Sequence, residues 1–150
     1  MSEEGEENSG VAPGIDPEAV ARAEPIVESM RGRFLDWLGK SQAAIAEKQT
    51  MLNSKTGNHA ALLAEIKGVA HEMKGMGGTF GYPLVTRVGR TLEHYLIEAE
   101  VAGDADLSIV QDHISAIGEM MLAFKVDLDG DTEARLNKLA DQLESRVGAD

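Results

Sequence analysis

Apolar positions recur at alternating intervals of three and four along most of the chain. The helical period starts at Asp16-Pro17, where an Asp can accept from the first amides and a Pro gives up a hydrogen bond that the first turn never makes. Pro25 interrupts this run, so a short first helix to Glu24 is expected to give way to a longer one. The longer helix would carry Val27, Met30, Phe34, Leu38, Ile45 and Leu52 on one stripe, weakened locally by Gly32 and Gly39. Residues 53–58, Asn-Ser-Lys-Thr-Gly-Asn, are turn chemistry. A second series runs from Leu62 to Phe80 and is ended by Gly81-Tyr82-Pro83. The third is Val85, Val88, Leu92, Tyr95, Leu96 and Ala99, closed by Gly103; the fourth is Val110, Ile114, Ile117, Met121, Phe124 and Leu128. The stretch from Thr132 to Val147 repeats the pattern with Leu136, Leu139, Leu143 and Val147.

No segment alternates with period two, so strands have no candidate and the chain is all-α. Short connections cannot carry the chain back along a bundle, which favours antiparallel neighbours. The expectation is an up-down-up-down antiparallel four-helix bundle with a short extra N-terminal helix and an additional C-terminal helix. Residues 15–128 would form the bundle and 129–150 an accessory helix that packs on it, pairs with its copy or binds another partner. Residues 1–14 carry Glu3, Glu4, Glu6 and Glu7 among Ser, Asn and Gly, and read as a disordered acidic tail. With only 4% aromatic residues the core must be aliphatic and Met-rich.

Charge narrows the partners. Against 14 Lys+Arg stand 26 Asp+Glu, a formal net charge of −12 that repels a phosphate backbone and an anionic membrane surface. Nucleic acid and membrane are therefore disfavoured. The absence of cysteine removes disulfides, thiolate metal sites and thiol nucleophiles. No stretch is apolar enough to span a bilayer and the N-terminus is acidic, so a soluble, cytoplasmic protein is expected.

On a wheel of about 100° per residue, the second main helix separates into two faces. Leu62, Ile66, Val69, Met73, Met76 and Phe80 cluster opposite His71, which therefore points to water. Around His71 lie Ala64, Lys67, Gly68, Lys74, Gly75 and Gly78, with no acid among them. An imidazole flanked by two ammonium groups and bare backbone suits an anion and an approaching partner. Each glycine inside a helix costs up to about 1 kcal/mol relative to Ala, so Gly68, Gly75, Gly77 and Gly78 together are expensive. The helix could stop near Gly75 and use them as turn residues. Met76 and Phe80 keep the phase of the stripe, which favours a helix continuing to about Phe80.

The stretch Ala70-His71-Glu72-Met73-Lys74-Gly75-Met76-Gly77-Gly78-Thr79-Phe80-Gly81 resembles the signature of histidine-containing phosphotransfer (HPt) domains. That pattern is His, Lys-Gly three and four residues on, small residues, and Gly ten on. The resemblance extends from about Phe34 to about Phe124. Met76 and Gly77 stand where the family more often has Ser and Ala, and the helix after Asp131 lies outside its usual four-helix core.

The resemblance implies a phosphorelay intermediate, a carrier with no nucleotide site or cofactor of its own. A histidine of this kind takes a phosphoryl group from a receiver-domain aspartate and passes it to another. The receivers belong to response regulators or hybrid histidine kinases and supply the Mg²⁺. Carried over, His71 is the phosphoacceptor, Lys74 favours the phosphoryl oxygens, Gly75 gives access and Gly78 matches a further small position. Lys67, Gly68 and Ala64 join the docking strip by geometry. Phosphoryl transfer needs chiefly positioning and charge stabilisation, which this strip could supply. The alternatives are a non-catalytic adaptor that docks receivers, or the phosphoacceptor domain of a sensor kinase. A monomer is expected, with a dimer through the C-terminal helix as the other arrangement.

Other features read as structural. His59, His94 and His113 share no i, i+4 spacing and are expected to be solvated or capping. The run Gly75-Met76-Gly77-Gly78 lacks the preceding strand and following Lys-Ser/Thr of a nucleotide loop. Asp127, Asp129 and Asp131 around Gly130 fit a capped link better than a calcium loop. Arg87, Arg90 and His94 read as an ordinary solvated face.

Overall fold

The computed structural model describes residues 16–126 and 128–148. The proposed acidic tail and Asp127 lie outside the described residues. These residues form five helices and no strand: α1 Pro17–Asn53, α2 His59–Thr79, α3 Pro83–Ala102, α4 Leu107–Phe124 and α5 Gly130–Val147. Of the described residues, those up to Phe34 make one compact unit and those from Leu35 onward a second.

In the first unit the short separate helix is not formed. Pro25 sits inside α1, which is continuous from Pro17. A proline removes its own amide from the ladder and crowds one carbonyl; the Ala, Glu and Arg residues on either side are strong helix formers and carry the helix across it. Asp16 Oδ1 accepts from the Glu18 amide at 3.1 Å, as expected of the residue before Pro17. Val27 and Met30, expected on the buried stripe, are exposed, at 48% and 45%.

In the second unit each connection is closed by its own chemistry. Asn58 caps α2 by accepting from the Ala61 amide at 2.8 Å, and Asp106 and Asp129 do the same for α4 and α5. Gly103 ends α3 at a φ of 76°, a left-handed conformation that any Cβ would oppose. Between α2 and α3 the turn is held by the Tyr82 amide donating to the Gly77 carbonyl at 2.7 Å, and the Tyr82 ring lies 4.6 Å from that of Phe124. The core takes Leu38 and Ile45 from α1, Ile66 and Met73 from α2, Val85, Val88 and Leu92 from α3, and Ile117 and Met120 from α4. Each such side chain contributes about 1.5–3 kcal/mol through burial.

The final helix packs on its own chain. Leu136, Ala140 and Leu143 are buried, and Arg87 of α3 reaches across to Glu144, Asp141 and Asn137. Arg87 is thus a latch for α5 rather than part of a solvated face. Its bonds to Glu144 and Asp141 raise the guanidinium pKa against the burial that would lower it. Arg90 is exposed and His94 lies 3.5 Å from Glu98.

His113 is neither solvated nor capping: it is fully buried in α4, and its Nδ1 donates to the Ile109 carbonyl at 2.7 Å. Burial lowers its pKa from the ordinary 6.5, although the bond to Ile109 acts the other way. The unfolded chain therefore takes up a proton at this position at a pH where the folded one does not, and stability falls as pH drops through 6.5. His113→Leu should flatten that part of the slope. Urea midpoints between about pH 8 and about pH 5, the range over which imidazoles titrate, would check this; an unchanged slope would mean that other groups set it.

Candidate functional site

Helices α2 and α3 run antiparallel and touch backbone to backbone. A Cβ on Gly89 would lie 2.6 Å from the Lys74 amide nitrogen and 2.8 Å from the Ala70 carbonyl oxygen. A Cβ on Gly77 would lie 2.6 Å from the Thr86 nitrogen and 2.8 Å from the Tyr82 oxygen. Glycine is required at both positions because the facing atoms are main chain and cannot step aside. Thr86 Oγ1 also donates to the Lys74 carbonyl at 2.9 Å. The turn of α2 from Ala70 to Lys74 is therefore fixed by α3 from behind, and His71 projects from it with its side chain 66% exposed.

The apolar stripe of α2 is centred slightly differently from expectation. Leu62, Ile66, Ala70, Met73 and Gly77 are buried, whereas Val69, Met76 and Phe80 are half-buried. The small residues Ala70 and Gly77 face the core because α3 approaches too closely for larger side chains. The helix itself continues through Thr79, as the phase of Met76 and Phe80 implied.

No acid follows or precedes His71 on its own strip, but α3 supplies one. Glu93, one turn beyond Gly89 on the same face, places Oε2 2.7 Å from His71 Nδ1 and Oε1 2.7 Å from Lys74 Nζ. Its side chain is 15% exposed. Burial alone would raise the Glu93 pKa, yet the hydrogen bonds from Lys74 and His71 outweigh it and hold the carboxyl below its ordinary value. An ionised carboxylate only accepts. The proton of a neutral His71 ring therefore sits on Nδ1, and Nε2 presents its lone pair away from Glu93.

The remaining strip residues sort by what stands beside them. Gly75 and Gly68 have open space where a Cβ would be, and Gly78 would meet Thr86 Oγ1 at an ordinary 3.6 Å. Ala64 is exposed, and Lys67 is drawn to Glu100 at 3.1 Å. Both lysines of the strip are thus paired with glutamates of α3. Neither glutamate was singled out from the sequence; the spacing Thr86, Gly89, Glu93, Glu100, which follows one face of a helix, is the signal that could have found them.

Open space at Gly75 gives a two-part expectation. Gly75→Ala should stabilise the helix by up to about 1 kcal/mol. Gly75→Leu should keep the fold while narrowing the approach to His71. A melting curve and a transfer assay on each variant would check this, and an unchanged rate for Gly75→Leu would remove the access argument.

No match was found to a curated protein or to a solved structure. The family model of the Hpt domain matches residues 29–146, from within α1 to the last turn of α5, and spans the whole of the His71 site. An exposed helix histidine held by a neighbouring helix, within a match covering most of the chain, places this protein in the Hpt domain family, whose members serve phosphotransfer in phosphorelay signalling.

Proposed function

We propose that this protein carries a phosphoryl group between receiver-domain aspartates, with His71 as the phosphoacceptor. The observation that supports this most strongly is the single carboxylate of Glu93 bound to both His71 Nδ1 and Lys74 Nζ. Nε2 would attack the phosphorus of an aspartyl phosphate in line with the leaving carboxylate oxygen; the N–P bond forms, the O–P bond breaks and the aspartate leaves as carboxylate. Because Nδ1 keeps its proton, the phosphorylated ring gains positive charge, which the adjacent Glu93 carboxylate stabilises. Lys74 is positioned to turn from Glu93 toward the phosphoryl oxygens. Magnesium belongs to the receiver in this reading, and Gly75, Gly78, Gly68, Ala64 and Lys67 give the receiver its approach.

The reading includes an up-down-up-down arrangement of α1 to α4, supported by the short connections and by the antiparallel register of α2 on α3. It places the exchange in the cytoplasm. Among the described residues no helix is long and apolar enough to cross a membrane.

The test is transfer from a panel of phosphorylated receiver domains to the full chain, with acid lability of the product as the mark of a phosphohistidine. Labelling supports relay; failure across a broad panel with normal receiver docking would favour the adaptor. Glu93→Gln should slow labelling by roughly tenfold, about 1.4 kcal/mol of barrier, while leaving docking intact. A Glu93→Gln variant as fast as the wild type would show that the carboxylate neither orients nor stabilises the imidazole.

A further inference from the structure

The N-terminal part of α1 carries an apolar face that no described residue of its compact unit covers. Ile26, Val27 and Met30 are 62%, 48% and 45% exposed. Val27 and Met30 stand three apart, and in the sequence Val20 and Ala23 continue the same three-four spacing. That is the seam spacing by which one helix packs along another. Pro25 lies about 180° away from this seam at 100° per residue, so its ring does not obstruct a partner helix.

The charges beside the seam say what that partner is. Glu24 and Arg31 are seven residues apart and therefore share one flank. Among the described residues Glu24, which is exposed, has no ion-pair partner, and Arg31 reaches only Glu28, at 4.0 Å with both side chains largely in solvent. When two such helices pack antiparallel, like flanks face each other across the seam. A two-fold axis between positions 27 and 28 then sets Glu24 of each copy against Arg31 of the other, twice over. A parallel pair would instead put Glu24 opposite Ala19 and Arg31 opposite Ile26, leaving both charges unanswered. The antiparallel pair also sets the two helix dipoles in opposition. The C-terminal helix, the alternative seam between copies, has its apolar residues Leu136, Ala140 and Leu143 buried in its own chain.

We propose that two copies of this chain associate through α1, packed antiparallel at Val27 and Met30, with Glu24 of each copy paired to Arg31 of the other. The interface is self-complementary, as a two-fold requires, and it is independent of any chemistry at His71.

Sedimentation equilibrium of the full chain over a concentration series tests this. The wild type should pass from the mass of one chain to that of two. Glu24→Arg alone, or Arg31→Glu alone, places like charges together twice and should weaken association by about tenfold, the scale expected for two exposed pairs. The double variant Glu24→Arg/Arg31→Glu should recover wild-type association to within about threefold. Val27→Asp should stay at the mass of one chain while keeping the helical circular-dichroism spectrum of the wild type, since the position is exposed in the single chain. A wild type that keeps the mass of one chain throughout, a double variant no better than the singles, or a dimer that survives Val27→Asp would each overturn the proposal.

Discussion

His71→Gln is expected to abolish acid-labile phosphorylation while changing stability by no more than about 0.5 kcal/mol, the usual scale of a surface substitution. The imidazole is two-thirds exposed and belongs to no part of the apolar core. Its removal does not strand Glu93, because Lys74 Nζ remains 2.7 Å from Oε1 and keeps that largely buried carboxylate paired. A glutamine amide can donate toward Glu93 in place of Nδ1, but it offers no nucleophilic nitrogen. Labelling from a phosphorylated receiver, read beside a thermal melt, separates the outcomes. Label retained on the variant would move the acceptor elsewhere in the chain. A large fall in melting temperature would make His71 a structural residue.

Gly89→Val is expected to have the largest effect on stability, a loss of about 3 kcal/mol or more, at the upper end of overpacking costs. The new Cβ would meet the Lys74 nitrogen at 2.6 Å, the Ala70 oxygen at 2.8 Å and the Met73 Cβ at 3.0 Å. Two of these are backbone atoms inside a helix, so the strain is relieved only by pushing α2 and α3 apart. The contrast with Gly75, where a Cβ enters open space, makes the pair diagnostic: one glycine closes a backbone contact and the other does not. Urea denaturation measures the first effect. If Gly89→Val were as stable as the wild type, the helix crossing would be looser than these distances imply. Any folded fraction should transfer poorly, because Glu93 rides on α3 and leaves the imidazole when the helices separate.

Periodicity made the helices legible, and a wheel drawn through α2 placed His71 in solvent, because both depend only on the spacing of residues within one element. Sequence spacing also set the turns at Asn58 and Gly103, whose local chemistry is complete within a few residues. What spacing could not carry was anything decided by a second element. Glu93 lies 22 residues from His71 along the chain and beside it in space. Arg87 resembles any solvated arginine until α5 brings Glu144 and Asp141 to it. His113, by contrast, stands three after Val110 and four before Ile117, on the buried stripe of α4, so spacing within its own helix already marks it as a core position. At Pro25 the local cost of a proline points to a break, and the helix-forming residues around it outweigh that cost.

The turn that presents His71 is held from behind by contacts between main-chain atoms and glycines, with Thr86 anchoring the Lys74 carbonyl. Its outward neighbours, Ala64, Gly68 and Gly75, take no part in that support. Support and exposure thus lie on opposite sides of one helix: α3 holds it from behind, and His71 shares the open face with Ala64, Gly68 and Gly75. Under the proposed function, substitutions at these outer residues change which receiver is met, while the imidazole stays in register with its carboxylate.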